Sequence, residues 1–166
     1  MGSRRQSREI TIQYLYACDI QKEFAIPTKS LLNWIAFPFH PDSRHLSDES
    51  LAFAEHLITG IIKTLNNIDE CIKKYADNWE IFRIAYIDRN ILRMAIYEIL
   101  FLKDIPPVVS IDEAVDIAKK YSTPDSGKFV NGILVITQKI QVVQLLSSIF
   151  NALLILCAIF QFNVET

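Results

Sequence analysis

Hydrophobic and polar positions recur at helical spacing along almost all of this chain, most densely over 83–103, RIAYIDRNILRMAIYEILFLK. No Pro or Gly interrupts that stretch. At about 100° per residue, apolar side chains fill its circumference except for a narrow stripe of Arg89, Asn90 and Arg93. A helix that is apolar on nearly every side has to be surrounded, so the stretch predicts the central helix of a bundle. Asp88 and Glu98 fall outside the stripe, at the border of the buried face. A buried carboxylate needs a partner: an internal cation, or a group on a second protein.

The same reading places the other helices. One begins at Ser3, with Gln6 three residues on, and turns Ile12, Leu15 and Cys18 inward. Ser47 or Asp48 caps a second over 49–65, whose inward stripe is Phe53, Leu57, Ile61 and Leu65. Gly60 costs that helix about 1 kcal/mol against Ala, which predicts the close approach of a neighbouring helix. Asn66 and Asn67 predict a break, followed by a third helix over 68–78 with Ile68, Cys71, Ile72 and Tyr75 on its apolar side. Trp79–Phe82 then turns into the central helix. Beyond Pro106 and Pro107, Ser110-Ile-Asp-Glu113 reads as a capping box that starts a helix at 111–121. Thr123-Pro124-Asp125-Ser126 reads as another start, with Thr123 as cap, for a helix over 125–140. From Glu23 to Ser47, Pro27, Pro38 and Pro41 forbid one continuous helix. A short helical turn fits 29–36, and Trp34, Phe37 and Phe39 predict a lid folded onto the core.

Composition narrows the class. With four Gly, six Pro and no strand-type alternation, the chain reads as all-α with no sheet. Its 166 residues, 51% hydrophobic, suffice for one compact domain, or for two small helical bundles sharing the central helix. These are 1–79, with the aromatic loop at 27–47, and 80–140, followed by an apolar stretch at 141–166. A net charge of −2 announces no polyanion partner in bulk, so any basic site must be a local patch. Cys18, Cys71 and Cys157 are odd in number and far apart, as reduced thiols are, and the first ten residues are polar and arginine-rich, unlike a signal peptide. A cytoplasmic protein is expected. His40, His45 and His56 lack metal-ligand spacing, no nucleophile-and-base motif is present, and neither a cofactor nor an enzymatic activity is expected.

The candidate chemistry lies at two helix starts. Arg4, Arg5 and Arg8 share one side of the first helix, although cations near a helix N-terminus cost about 0.3–1 kcal/mol. Such a start is either a solvated end or a site for an anion. Tyr16, two turns past Arg8, continues the basic side with an aromatic ring, and Lys128 and Phe129 repeat the pairing at the start of the last helix. Cations for phosphates and rings for bases are what single-stranded RNA requires. The reading needs the two starts to lie side by side.

Taken in order, Arg4-Arg5, Arg8-Glu9, Gln13-x-Leu15-Tyr16, Leu57-x-x-Gly60, Ile68-Asp69, Trp79, Asp88-Arg89-x-Ile91-Leu92-Arg93-x-Ala95-x-Tyr97-Glu98, Ile105-Pro106, Ile111-x-Glu113-Ala114 and Lys128-Phe129-Val130-Asn131-Gly132-Ile133-Leu134 resemble the NusB family of bacterial transcription antitermination factors. The resemblance implies two small helical bundles, binding to the boxA element of ribosomal RNA leader transcripts, and a partner in NusE, the small-subunit ribosomal protein, within an antitermination complex on RNA polymerase. Position by position it implies an RNA surface at Arg4, Arg5, Arg8, Gln13, Tyr16, Lys128 and Phe129, and a protein-partner surface that includes Asp88. Glu98 is a further partner candidate, with an internal ion pair as its alternative, whereas Arg93 is structural. Two other readings are an RNA-recognition domain related to ribosomal RNA cytosine methyltransferases, for which the Gly-rich loop is missing, and a helical adaptor without RNA binding. The departure is the apolar run after Leu134. Val142–Phe162 nears the length of a bilayer span, but Gln144, Ser147, Ser148, Asn151 and Gln161 argue against one, and no membrane is expected. A helix folded onto the bundle, an oligomer or membrane contact, and a tail of aberrant coding origin remain as readings of it, so the apolar run leaves the membrane question open.

Overall fold

The computed structural model describes residues 3–27, 47–76 and 80–162, and every regular element among them is helical. The order is α1 (Ser3–Gln21), α2 (Asp48–Lys63), α3 (Leu65–Tyr75), a 3-10 turn (Ile81–Arg83), α4 (Tyr86–Phe101), α5 (Pro107–Tyr121) and α6 (Ser126–Phe162). The expected turn at 29–36, Trp34, Phe37, Phe39, His40, His45 and Trp79 lie outside the described residues.

α4 is the centre, and every residue from Asp88 to Ile99 is buried. α1, α2 and α3 pack on it from one part of the chain, α5 and α6 from the other. One apolar core draws on all six helices: Ile12 and Leu15 of α1, Leu57 and Ile61 of α2, Ile68 and Ile72 of α3, Ile91, Leu92, Met94, Ala95 and Ile96 of α4, Ile117 of α5, and Val130 and Leu134 of α6. Each such buried Leu or Ile stabilises the fold by about 1.5–3 kcal/mol. A smaller cluster, Ile10, Tyr14 and Cys18 against Leu51, Ala54 and Ile58, holds α1 to α2. Burial pushes the Cys18 and Cys71 thiols up, which keeps them protonated and unreactive.

The polar stripe of α4 is satisfied internally. Asp19 of α1 accepts from Arg89 Nε (3.1 Å), Asn90 Nδ2 (2.8 Å) and Arg93 Nη1 (2.9 Å), while Asp69 of α3 takes Arg93 in a two-pronged pair at 2.7 Å. Three helices are thereby fixed in register at one buried point. Gly60 has the role its sequence context predicts, because a Cβ built there would overlap the ring and hydroxyl of Tyr97 on α4.

Three helix boundaries differ from the sequence reading. Asn66 and Asn67 do not break the chain: α3 starts at Leu65, and Thr64 alone makes the corner, its N–H and hydroxyl both donating to the Gly60 carbonyl at 3.1 and 2.8 Å. α5 starts at Pro107, whose ring fixes φ for a first helical residue. Ser110 and Glu113 therefore lie within the helix and make no capping box. The Ser110 hydroxyl donates to Glu98 (2.6 Å) and Glu113 pairs with Arg5 (2.9 Å). α6 starts at Ser126, after a turn in which the Thr123 N–H donates to the Ser126 hydroxyl oxygen (3.3 Å), and it continues past Ile140 to Phe162 instead of stopping.

Candidate nucleic-acid interface

The first turns of α1 carry the basic residues, but the packing of α4 and α5 sorts them. Arg4 is exposed, its guanidinium 5.3 Å from the centre of the Phe53 ring. Arg5 is half-buried, 2.9 Å from Glu113 and 3.5 Å from Glu9 one turn further on. Arg8 points inward. Only 3% exposed, it donates to both carboxylate oxygens of the fully buried Glu98, at 2.8 and 3.1 Å, and its Nη1 lies 3.4 Å from Glu113. This corrects two expectations. Arg8 does not present a free cation, and Glu98 takes the internal ion pair that was the alternative to a partner contact, with Arg8 and Ser110 both donating to its carboxylate inside the bundle. The physical cause is that a carboxylate on a helix buried all round takes the nearest cation.

Gln13 is half-buried, and its Oε1 has no hydrogen-bond partner among the described residues. Tyr16 is exposed and meets the edge of Tyr86, ring centres 6.3 Å apart, at the start of α4. The guanidinium of Arg89 lies 4.8 Å over the other aromatic of that pair, Tyr86. At the start of α6, Lys128 leaves 88% of its side chain in solvent, 3.8 Å from the equally exposed Asp125. Phe129 is half-buried and packs against the core. Asp88 is buried at the start of α4, where one carboxylate oxygen accepts from the Ser126 hydroxyl at 2.8 Å and the other, Oδ1, has no partner among the described residues.

The two helix starts are joined by a third element, the last turn of α5. From it Lys120 donates to Glu9 at 3.0 Å and Tyr121 donates to the other oxygen of Glu9 at 2.8 Å. The chain then runs through 122–125 into α6, whose Ser126 is bound to Asp88 on α4, and α4 in turn meets Tyr16 through Tyr86. The end of α5 is thus tied to α1 through Glu9 and the start of α6 to α4 through Asp88, and α5 brings a cation and a ring of its own. Lys120 Nζ sits 4.6 Å over the Tyr121 ring, and its hydrogen bonds to Tyr121 and Glu9 raise its pKa, keeping it charged. Neither residue was singled out from the sequence. The signal was available as the same cation-beside-aromatic pairing seen at 128–129, masked at 120–121 by its place at the end of a helix, where basic residues are ordinary. Among the described residues no group of three or more His, Cys, Asp and Glu has metal-binding geometry.

Comparison with known proteins gives a consistent match. Residues 5–139 match the model of the NusB family. The transcription antitermination protein NusB of Salinibacter ruber is 46% identical over 134 residues, which is 81% of this chain and 79% of that protein. The structure of T. maritima NusB superposes with a TM-score of 0.68 at 36% identity, covering 82% of this chain and 90% of that one. A crystal structure of antitermination factors NusB and NusE in complex with dsRNA superposes with a TM-score of 0.70 at 28% identity, covering 82% of this chain and 96% of that one.

Proposed function

Because this chain belongs to the NusB family, we propose that it is a transcription antitermination factor that binds the boxA element of ribosomal RNA leader transcripts together with NusE. The observation that carries the reading is a chain of contacts that ties three cation-and-ring sets to α1 and α4: Tyr16, on the helix that carries Arg4 and Arg5, meets Tyr86; Lys120 and Tyr121 both bind Glu9; and Lys128 and Phe129 follow Ser126, which binds Asp88. Phosphates are neutralised by Arg4, Arg5 and Lys128, while Lys120 stays with Glu9, and bases stack on the exposed rings. Gln13 supplies a base-edge contact between them. Arg8 serves from inside, holding α1 against α4 and α5 so that Arg4 and Arg5 stand at a fixed angle. The protein acts as a non-enzymatic adaptor.

The NusE surface centres on the start of α4. Asp88 Oδ1, a buried acceptor without a donor among the described residues, is costly unless a partner supplies one. Around it Tyr16, Ile20, Phe82 and Tyr86 are exposed, the kind of aromatic rim that protein interfaces use. RNA and protein partner then share Tyr16 and its neighbourhood.

The test is a titration of fluorescently labelled boxA RNA with the full chain, alone and with NusE. Binding that NusE strengthens, and that Arg5→Ala and Lys128→Ala each weaken about tenfold on the scale of ~1.4 kcal/mol, is the expected result. Capture of NusE by a chain that retains no RNA would replace this reading with a protein-only adaptor.

A further inference from the structure

The last part of α6 lies beyond the region that matches the family, and its amino-acid pattern changes where it leaves the body of the protein. Up to Gln141 the face of α6 turned to the core carries Val130, Ile133, Leu134 and Thr137, and the Gln141 side chain donates to the Ile99 carbonyl of α4 at 2.9 Å. Carried on at about 100° per residue, the positions in that register are 144, 148 and 151, which the sequence fills with Gln, Ser and Asn. The apolar residues move roughly a third of a turn around the helix, away from the body. Val142, Leu146 and Ile149 are 48%, 60% and 57% exposed, so this second face finds no cover among the described residues.

The spacing of that face is specific. Val142, Leu146 and Ile149 are four and three residues apart, and in the sequence the alternation continues without a break through Leu153, Leu156 and Phe160. A 4-3 repeat is the seam of two helices wound about each other, in which each side chain enters a gap on the partner. A charged partner is disfavoured, because no Asp, Glu, Lys or Arg occurs from Ile140 to Val164. The same neutrality lets two identical copies approach without repulsion. Size fits as well. The stretch 142–162 is about 30 Å long and about 11 Å across, an envelope of roughly 1,000 Å². Pairing hides about half of that on each copy, roughly 1,000 Å² in total, which reaches the size at which a specific interface holds on its own. A lipid surface fits less well, since Gln144, Ser147, Ser148 and Asn151 form a continuous polar face within the first three turns, which hydrocarbon would leave unsatisfied.

We propose that residues 142–160 form a dimerisation helix, pairing along the Val142–Leu146–Ile149 seam with the same stretch of a second copy of this chain. The RNA surface, at the opposite part of α6, stays open in such a pair, so the dimer presents two RNA sites.

Sedimentation equilibrium on the full chain tests this, with twice the 19.1 kDa chain mass expected at micromolar concentration. The seam variant Leu146→Glu with Ile149→Glu should sediment as a monomer with an unchanged helical circular dichroism spectrum. Ser147→Glu with Asn151→Glu, on the polar face, should remain dimeric and guards against a general effect of added charge. A monomeric full chain, a seam variant as associated as the parent, or a polar-face variant that dissociates equally would each overturn the proposal. So would a chain that floats with phosphatidylcholine vesicles while the seam variant does not, since the occupant of the seam would then be lipid.

Discussion

The Arg8 guanidinium and the Glu98 carboxylate meet through two hydrogen bonds inside the bundle, with Ser110 donating a third to the same acid. A pair of this kind contributes little net stability while intact, because desolvation offsets attraction, but an ion left alone there is expensive. Glu98→Ala is therefore expected to destabilise the protein by about 3–5 kcal/mol, lowering Tm by on the order of 10 °C for a chain of this length. Arg4→Ala, at an exposed position, should leave Tm within about a degree, the usual outcome for a surface change. Thermal unfolding followed by circular dichroism separates the two. Equal, small shifts would mean that the buried pair is not closed in solution. Arg8→Ala should lower Tm as Glu98→Ala does, since it leaves the same buried ion alone, whereas a residue that only touched RNA would affect affinity and leave Tm alone.

At the scale of the helices, the apolar pattern was readable and the exact starts were not. Ile12, Leu15, Leu57, Ile61, Ile68 and Ile72 all point inward as their 3.6-residue spacing requires, because burial of an apolar face is a property of the helix itself. Asn66, Asn67 and Ser110 misled, because each carries a capping side chain whose use depends on what lies across the bundle. Ser110 faces Glu98 and is spent there. The site divides in the same way. Arg4, Arg5, Tyr16, Lys128 and Phe129 were visible as local pairs, but the inward turn of Arg8 and the insertion of Lys120 and Tyr121 arise from contacts across about ninety to a hundred and eleven residues of chain. The start of α6 offers a direct check of its electrostatic part. Asp125 stands 3.8 Å from Lys128 with both side chains in solvent, so it competes with phosphate for that cation. Asp125→Asn should tighten RNA binding a few-fold at low salt, the scale of one exposed charge interaction, with the gain shrinking as salt is added. Unchanged or weaker binding in the same titration would move the RNA away from this helix start.

For the molecule as a whole, the number of cations free to meet phosphate sets the salt response. Counting basic residues from the sequence gives four contacts, Arg4, Arg5, Arg8 and Lys128, and a slope of log K against log salt of about −3, at ~0.7 per contact on a single strand. The fold removes Arg8 from that count, because its charge is already neutralised by Glu98, and it engages Lys120 with Glu9. Arg4 and Lys128 remain exposed, Arg5 has to exchange its Glu113 contact for phosphate, and with those three the slope is expected nearer −2, at ~0.7 per contact. A slope of −3 would require Lys120 to leave Glu9 for the RNA, and in that case Glu9→Gln, which weakens the internal competitor, should strengthen binding in parallel. A flat response would leave stacking on Tyr16, Tyr121 and Phe129 as the only source of affinity. The net charge of −2 makes this measurement sharp: with no excess of positive charge to attract RNA from a distance, the salt dependence reports the local cradle and little else.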